Sequence, residues 1–356
     1  MREMLAIGLM SGSSLDGIDL ALVRFTEDGG RYAYTILEAE TLPYPSTWQQ
    51  RLSNAFHSHP DALHSLDQEY GAYLGDCLRA FAVRHHVRPD FVASHGHTVF
   101  HQPERHYTLQ IGDGQAIANH CGFLVINDFR SEDVSKGGQG APLVPIGDQL
   151  LFSDYQLCLN IGGIANISYE KQGQRIAYDL CIANQALNEL SQREGMAYDR
   201  DGQLARNGNV NPPLLEALDT QAFFRQEPPK SLGREFYERH QRPLLVNDTT
   251  SNLLATFTEH IAWQVGQALK AQPKGRLLCT GGGAFNSYLI ERIQHHTHHQ
   301  VIVPDRQTVE YKEALIFALL GLLRLEGQTN VLASVTGAPT DSCSGVIWHP
   351  LNLTQQ

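Results

Sequence analysis

A chain of 356 residues, 42% hydrophobic and 18% charged, has the length of two domains and enough apolar residues for a sizeable core, which excludes a disordered protein. A formal charge of −11 excludes general affinity for nucleic acid or an anionic membrane, because either needs a basic surface. No basic segment followed by an apolar run opens the sequence and no stretch has the length of a membrane span, so a soluble, cytoplasmic protein is expected.

Residues 7–25 read as two apolar runs, 7–10 and 18–25, joined by Ser11-Gly12-Ser13-Ser14-Leu15-Asp16-Gly17. That pattern predicts a β-hairpin with a tight polar turn. Gly12 and Gly17 permit positive φ, and successive N–H groups with the hydroxyls of Ser11, Ser13 and Ser14 suit a phosphate. The Gly-Lys-Ser/Thr signature of a P-loop is missing, and an ordinary hairpin turn is the alternative for this stretch taken alone. Residues 34–40 read as a third strand, and 48–56 and 63–84 as helices. In the latter, Leu66, Tyr70, Tyr73, Leu74, Cys77, Leu78 and Phe81 share one face and read as core. A short buried strand, 91–94, runs into Ser94-His95-Gly96-His97-Thr98. Alternation sends His95 and His97 to opposite sides, so one of them is expected to face a ligand; a loop histidine held by hydrogen bonds is the alternative. A helix over 115–120 and a strand over 124–127 lead to Asp128-Phe129-Arg130. Arg130 suits a ligand carboxylate or an ion pair with Asp128 or Asp133. Residues 136–145 form a loop rich in Gly and Pro.

The second half repeats the opening. Residues 156–169 read as strand, Gly162-Gly163 turn and strand, with a third strand over 175–179. Asp179 is expected to end that strand beside the N-terminus of a helix, 184–194. There the helix dipole would keep it ionised as a base; simple N-capping is the alternative. A polar insertion, 198–239, offers Lys230 and Arg234 either to anions or as surface charge. Helix 249–270 carries a stripe of Leu253, Leu254, Phe257, Ile261, Val265 and Leu269, capped by Asp248-Thr249. Strand 277–280 runs into Gly281-Gly282-Gly283, a turn that lets a flat ring or phosphate approach backbone. In 295–299, His296 and His299 on one helix face would make a metal-like pair, against the plainer reading of a solvated helix end. Glu313 is expected to open an apolar helix, 314–325, and a last strand, 345–348, to return to the first half. The six scattered cysteines, with no C-x-x-C pair, read as core thiols.

Taken together, MSGSSLDGID at 10–19, Ser94-His95-Gly96, TLQIGD at 108–113, Asp128-Phe129-Arg130, GGQGAPLVP at 137–145, NIGGIAN at 160–166, Gly281-Gly282-Gly283 and Val335-Thr336-Gly337-Ala338 resemble, in order and spacing, the anhydro-N-acetylmuramic acid kinase family, sugar kinases of the actin/hexokinase/Hsp70 superfamily. The resemblance implies an α/β fold of two actin-like (ribonuclease H-like) lobes around a nucleotide cleft, one from 1–130 plus 335–356 and one from 131–334. It implies ATP and Mg²⁺, with Gly12, Ser13, Ser14, Leu15, Asp16, Gly17, Ile18, Asp19, Gly162 and Gly163 at the phosphates and Gly281, Gly282 and Gly283 at the adenosine; it assigns no metal ligands. His95, His97, Arg130, Asn184 and Glu313 would contact an amino sugar, Arg130 through its lactyl carboxylate. Asp179 would be the catalytic base. The family's Asp-Thr-Gly-Pro-Gly-Asn is here Asp179-Leu180-Cys181-Ile182-Ala183-Asn184, and its usual Gln stands as His97. The implied reaction phosphorylates 1,6-anhydro-N-acetylmuramic acid at O6 while water opens the anhydro ring. A kinase for another sugar, or a non-catalytic binding protein of the same fold, are the alternatives. Expected partners are the sugar and ATP, with no nucleic acid or membrane; a homodimer stays open.

Overall fold

The computed structural model describes residues 2–12 and 15–351, so Ser13 and Ser14 of the expected phosphate turn lie outside the described residues. The chain divides into two compact units, Met1–Leu151 with Tyr311–Gln356, and Phe152–Glu310.

The first unit opens with β1 (Arg2–Ser11), β2 (Gly17–Asp28) and β3 (Arg31–Pro43), an antiparallel meander. Helices α1 (Ser46–Asn54) and α2 (Pro60–Arg84) follow, then β4 (Phe91–Ser94). A separate hairpin, β5 (His97–Gln102) and β6 (Tyr107–Ile111), precedes α3 (Gly114–Cys121), β7 (Val125–Asn127), α4 (Ser131–Ser135) and α5 (Val144–Leu151). The second unit holds β8 (Leu157–Ile161), β9 (Ile164–Lys171), β10 (Gln174–Ile182) and α6 (Asn184–Gln192). Short helices α7 (Gln203–Asn207), α8 (Pro212–Asp219) and α9 (Arg234–Phe236) thread the polar insertion. They lead to α10 (Thr250–Leu269), β11 (Arg276–Thr280), α11 (Ser287–His296) and β12 (Gln300–Ile302). Helix α12 (Arg306–Leu325) crosses the unit boundary, and α13 (Ala333–Thr336) and β13 (Val346–Trp348) complete the first unit.

The first sheet runs β13-β7-β4-β1-β2-β3 and the second β10-β9-β8-β11-β12. In each, three antiparallel strands are followed by two parallel ones reached through helices. The shared order, third-second-first-fourth-fifth, makes each unit a ribonuclease H-like, actin-like α/β fold. Strand β1 pairs on both edges and is apolar on both faces, with Ala6, Ile7 and Leu9 fully buried. In α2, Leu66, Tyr70, Leu74, Leu78 and Phe81 recur three or four apart and are buried against that sheet, as their spacing predicts. The stripe of α10 does the same in the second unit, and its N-cap is the Thr249 hydroxyl, accepting from Asn252 N–H at 3.3 Å.

Four local expectations are corrected. The hairpin β5–β6 was not expected, although its second strand, Tyr107-Thr108-Leu109-Gln110-Ile111, alternates apolar and polar residues. Strand β10 continues past Asp179 to Ile182, because Leu180, Cys181 and Ile182 bury and a bulge between Asp179 and Cys181 lets pairing with β9 resume. Helix α12 starts at Arg306, so Glu313 lies in its interior rather than in its first turn. Helix α11 ends at His296, which pairs with Glu259 at 2.6 Å, and His299 lies beyond the helix, so the two histidines share no helix face.

Candidate active site

Because β1, β4 and β7 are mutually parallel, their carboxyl ends emerge at one edge of the first sheet. The turn after Ser11, the His95 segment and Arg130 all begin at that edge, where open α/β sheets gather ligands. Ser11 itself faces inward and is about 1% exposed. Its hydroxyl contacts Tyr44 Oη at 2.7 Å and accepts from Tyr70 Oη at 2.8 Å, and the two phenols touch each other. The expected phosphate role of the Ser11 hydroxyl is therefore corrected: it ties the strand end to α2. Leu15 takes positive φ, and its N–H points to Gly12 C=O at 3.5 Å. Asp16 is exposed, and its carbonyl accepts from Tyr44 N–H at 3.4 Å. Gly17 has no room for a side chain, since a Cβ would lie 2.5 Å from Leu42 O. Ile18 is fully buried in the core. Asp19 Oδ1 accepts from Thr41 Oγ1 at 2.6 Å across the β2–β3 pair.

Arg130 pairs with neither Asp128 nor Asp133. Asp128 accepts from Ser131 N–H at 3.2 Å, and Asp133 is taken by Gly140 N–H at 2.8 Å. The Arg130 guanidinium instead donates through Nε and Nη2 to His95 Nε2, at 3.2 and 2.9 Å, and through Nη1 to Gly140 C=O at 2.6 Å. Accepting at Nε2 leaves His95 protonated at Nδ1, which donates to Gly96 C=O at 2.9 Å. Burial, reinforced by the Arg130 charge, pushes the His95 pKa down to about 3, so the ring is a neutral acceptor. Burial lowers Arg130 to about 10, and the Glu313 carboxylate opposes the fall. Three of the five N–H groups are engaged with neutral partners, which leaves a cation with donors to spare for an anion.

A consequence for stability follows from the depressed His95 pKa. Between pH 6.5 and about 3 the unfolded chain takes up a proton that folded His95 refuses, so stability is full above 6.5 and falls on acidification. The expected contribution is about 1.4 kcal/mol per pH unit in that window. Urea unfolding at pH 7, 6 and 5 should give a steeper pH slope for the native chain than for His95→Gln; equal slopes would refute it.

His97 is buried, with its ring 6.5 Å from that of Tyr70. Glu313 is open to solvent yet closely surrounded by protein. Poor hydration, with the nearby Asp19 charge, raises its pKa, while Arg130 and Lys312 pull it back. The next residue back, Lys312, makes a buried ion pair with Asp148 of α5 at 2.6 Å. The first unit thus brings Asp19 and Arg130 each into electrostatic reach of Glu313, with His95 behind Arg130.

In the second unit the Gly-bearing turns converge at one sheet edge. Asn184 N–H donates to Gly162 C=O at 3.1 Å, Ala183 N–H to Gly163 C=O at 2.8 Å, and Asn184 Nδ2 to Ile161 C=O at 3.1 Å. Gly281 has φ +80°, and a Cβ there would lie 2.6 Å from Asn160 Oδ1, so glycine is required. A Cβ on Gly282 would lie 3.7 Å from Asn184 Nδ2, and one on Gly283 3.1 Å from Asn184 Oδ1. Gly162, Gly163, Asn184 and Gly281–Gly283 therefore form one backbone-rich surface, suited to a flat ring or phosphate. Asp179 sits in β10 opposite Asn166. Its Oδ2 accepts from Leu232 N–H at 2.8 Å, and its own N–H donates to Lys230 C=O at 3.1 Å. Burial raises its pKa and the Leu232 N–H draws it back. The N-capping alternative is not met, since α6 has no side-chain cap, and burial, not a helix dipole, governs the carboxyl, moving it away from the expected easy ionisation. An aspartate held this way can accept a proton.

The model of the anhydro-N-acetylmuramic acid kinase family matches residues 4–350. Anhydro-N-acetylmuramic acid kinase of Vibrio cholerae is 36% identical over 368 residues, covering 97% of this chain and 98% of that protein. The Gloeobacter violaceus protein of the same name is 36% identical over 372 residues, covering 95% and 97%. Among solved structures, the activator of 2-hydroxyisocaproyl-CoA dehydratase from Clostridium difficile with bound ADPNP aligns at TM-score 0.44 and 14% identity, covering 89% of this chain and 93% of that one. A ROK family glucokinase from Streptomyces griseus in complex with glucose and AMPPNP aligns at 0.41 and 12%, covering 89% and 98%. The match to the family model over residues 4–350 and the near-complete mutual coverage of these relatives place the chain in the anhydro-N-acetylmuramic acid kinase family.

Proposed function

We propose that this chain is an ATP-dependent kinase that converts 1,6-anhydro-N-acetylmuramic acid to N-acetylmuramic acid 6-phosphate, a step in recycling cell-wall amino sugars. The observation that carries the reading is the family match over residues 4–350, in a chain that keeps Asp179 and a charged Arg130 held by neutral partners. Water adds to C1 and gives its proton to Asp179 as the C1–O6 bond breaks. O6 takes the γ-phosphoryl group of ATP, the β–γ bridging P–O bond breaks, and ADP leaves. The reaction consumes one water and releases one proton to solvent. Positioning and charge neutralisation are the main physical tasks of such a transfer.

In this reading the turn 12–19 and Gly162-Gly163 hold phosphates through backbone N–H groups. Gly281–Gly283 takes the adenosine, and Arg130 forks onto the lactyl carboxylate. His97, Asn184 and Glu313 contact the sugar, and His95, with both ring nitrogens engaged, orients Arg130 from behind. Magnesium binds through one or two carboxylates plus phosphates and waters. Asp19, beside the phosphate turn and near enough to Glu313 to raise its pKa, fits that donor set. When bound, the ion supplies neutralisation of phosphate charge.

A coupled ADP-release assay with 1,6-anhydro-N-acetylmuramic acid, N-acetylmuramic acid and N-acetylglucosamine tests the proposal. Turnover confined to the anhydro sugar is the expected result. Turnover on an ordinary sugar alone would make it a different kinase, and ATP binding without turnover on any sugar a binding protein.

A further inference from the structure

The two Gly-bearing motifs at 137–145 and 335–338 have no part in the chemistry above, yet the first unit laces them together behind Arg130. Asp133, on α4, is fully buried. Its Oδ2 accepts from Gly140 N–H at 2.8 Å and its Oδ1 from Thr336 Oγ1 at 2.8 Å. Gly138 N–H donates to Asp133 C=O at 2.9 Å, and Gln139 N–H to Thr336 C=O at 2.8 Å. A Cβ on Gly138 would overlap the Asp133 carboxylate, and Gly140 holds φ +65°. Three hydrogen bonds thus hold residues 138–140 against Asp133 and Thr336, one of them to the Asp133 carboxylate, and a fourth joins the Asp133 and Thr336 side chains, 203 positions apart. What they lock is the Gly140 carbonyl, which receives Arg130 Nη1 at 2.6 Å. His95 takes Nε and Nη2 from the other side.

We propose that Asp133 and Thr336 are positioning residues that, through the Gly140 carbonyl, fix the orientation of Arg130 and so set selectivity for a carboxylate-bearing sugar. The inference rests on the reading of Arg130 as the partner of the substrate carboxylate. Burying a carboxylate among neutral donors is costly, and an apolar cluster of the same volume can be as stable or more so. Stability alone therefore does not explain the strap. A guanidinium gripped on two sides has one pose, and its remaining N–H groups face an anion without loss of side-chain freedom. Without the strap the carbonyl drifts and Arg130 regains rotamers, a loss felt by acidic substrates alone.

The test compares steady-state kinetics of the full chain on 1,6-anhydro-N-acetylmuramic acid and on 1,6-anhydro-N-acetylglucosamine, which lacks the lactyl carboxylate. Thr336→Val, isosteric but without the hydroxyl, should raise KM for the acidic sugar roughly tenfold, leave kcat nearly unchanged, and leave the neutral sugar within about twofold. Thr336→Ser should restore the native values. If the valine variant does not fold, Thr336→Ala gives the same readout. Equal losses on both sugars, or none on either, would overturn the inference. Arg130→Gln separates the two ideas. If it abolishes the preference for the acidic sugar while Thr336→Val keeps it, the strap fails and the Arg130 reading stands. If Arg130→Gln keeps the preference, the reading itself fails and the strap with it.

Discussion

Asp179→Asn should lower kcat by roughly 10³-fold or more, within the range a general base supplies, while leaving affinity for ATP nearly intact. The substitution is close to isosteric, and Asn Oδ1 can still accept from Leu232 N–H, the bond that orients the carboxylate at 2.8 Å. What asparagine cannot do is take the proton of the attacking water. The raised pKa adds a second readout. Because the base works ionised, kcat/KM of the native chain should climb with pH through a midpoint above that of an ordinary aspartate, as burial requires. Single-turnover rates with the anhydro sugar and calorimetric titration with a non-hydrolysable ATP analogue check both parts. Residual activity within about tenfold of native would remove Asp179 from the chemistry, since a positioned base is worth at least ~10²-fold.

The sequence made the sheets legible and the site only in outline. Two strand–glycine turn–strand patterns, at 7–25 and 156–169, each followed by a third strand, announce the meanders β1–β2–β3 and β8–β9–β10 because alternation and turn chemistry are local signals. The same locality explains the misses. Arg130 was weighed against the aspartates nearest to it in sequence, but its partner is a histidine 35 residues away, brought there because β4 and β7 run parallel. Asp179 was expected to end its strand ahead of helix 184–194. With Leu180-Cys181-Ile182 where the family has Thr-Gly-Pro, the strand carries on instead, and the orienting N–H comes from Leu232, 53 residues on. Ser11 looked like a phosphate ligand by its neighbours, yet Tyr44 and Tyr70 claim its hydroxyl from an adjoining loop and helix. Lys312 and Asp148 carried a weak signal that was readable: a lysine within an apolar helix needs a buried partner, and the acid in 145–150 was a candidate.

The largest stability effect is expected at a glycine no turn requires. Gly8 sits in the middle of β1, between Ala21 and Ala93 on the neighbouring strands, with ordinary extended φ. A Cβ there would overlap the carbonyl of Ala314 outright and lie 3.2 Å from Ala318 Cβ. Helix α12 also approaches β4 closely at Gly321, where a Cβ would lie 2.8 Å from Ala93 Cβ and 2.9 Å from Phe91 Cε2. Gly8→Ala therefore forces backbone against backbone, which no rotamer change relieves, and should cost about 3 kcal/mol or more. Gly173→Ala is the calibrating contrast. At φ +79°, with nothing within 4 Å, it bears only left-handed strain, about 1–2 kcal/mol. Urea unfolding of the two variants should rank them in that order. Because Glu313 precedes Ala314 on the displaced helix, any Gly8→Ala protein that still folds should also bind the sugar more weakly, whereas Gly173→Ala should not. Equal stabilities for Gly8→Ala and the native chain would mean that α12 can rise off β1 freely, and Glu313 would then lack the fixed placement beside Arg130 that the proposed site demands.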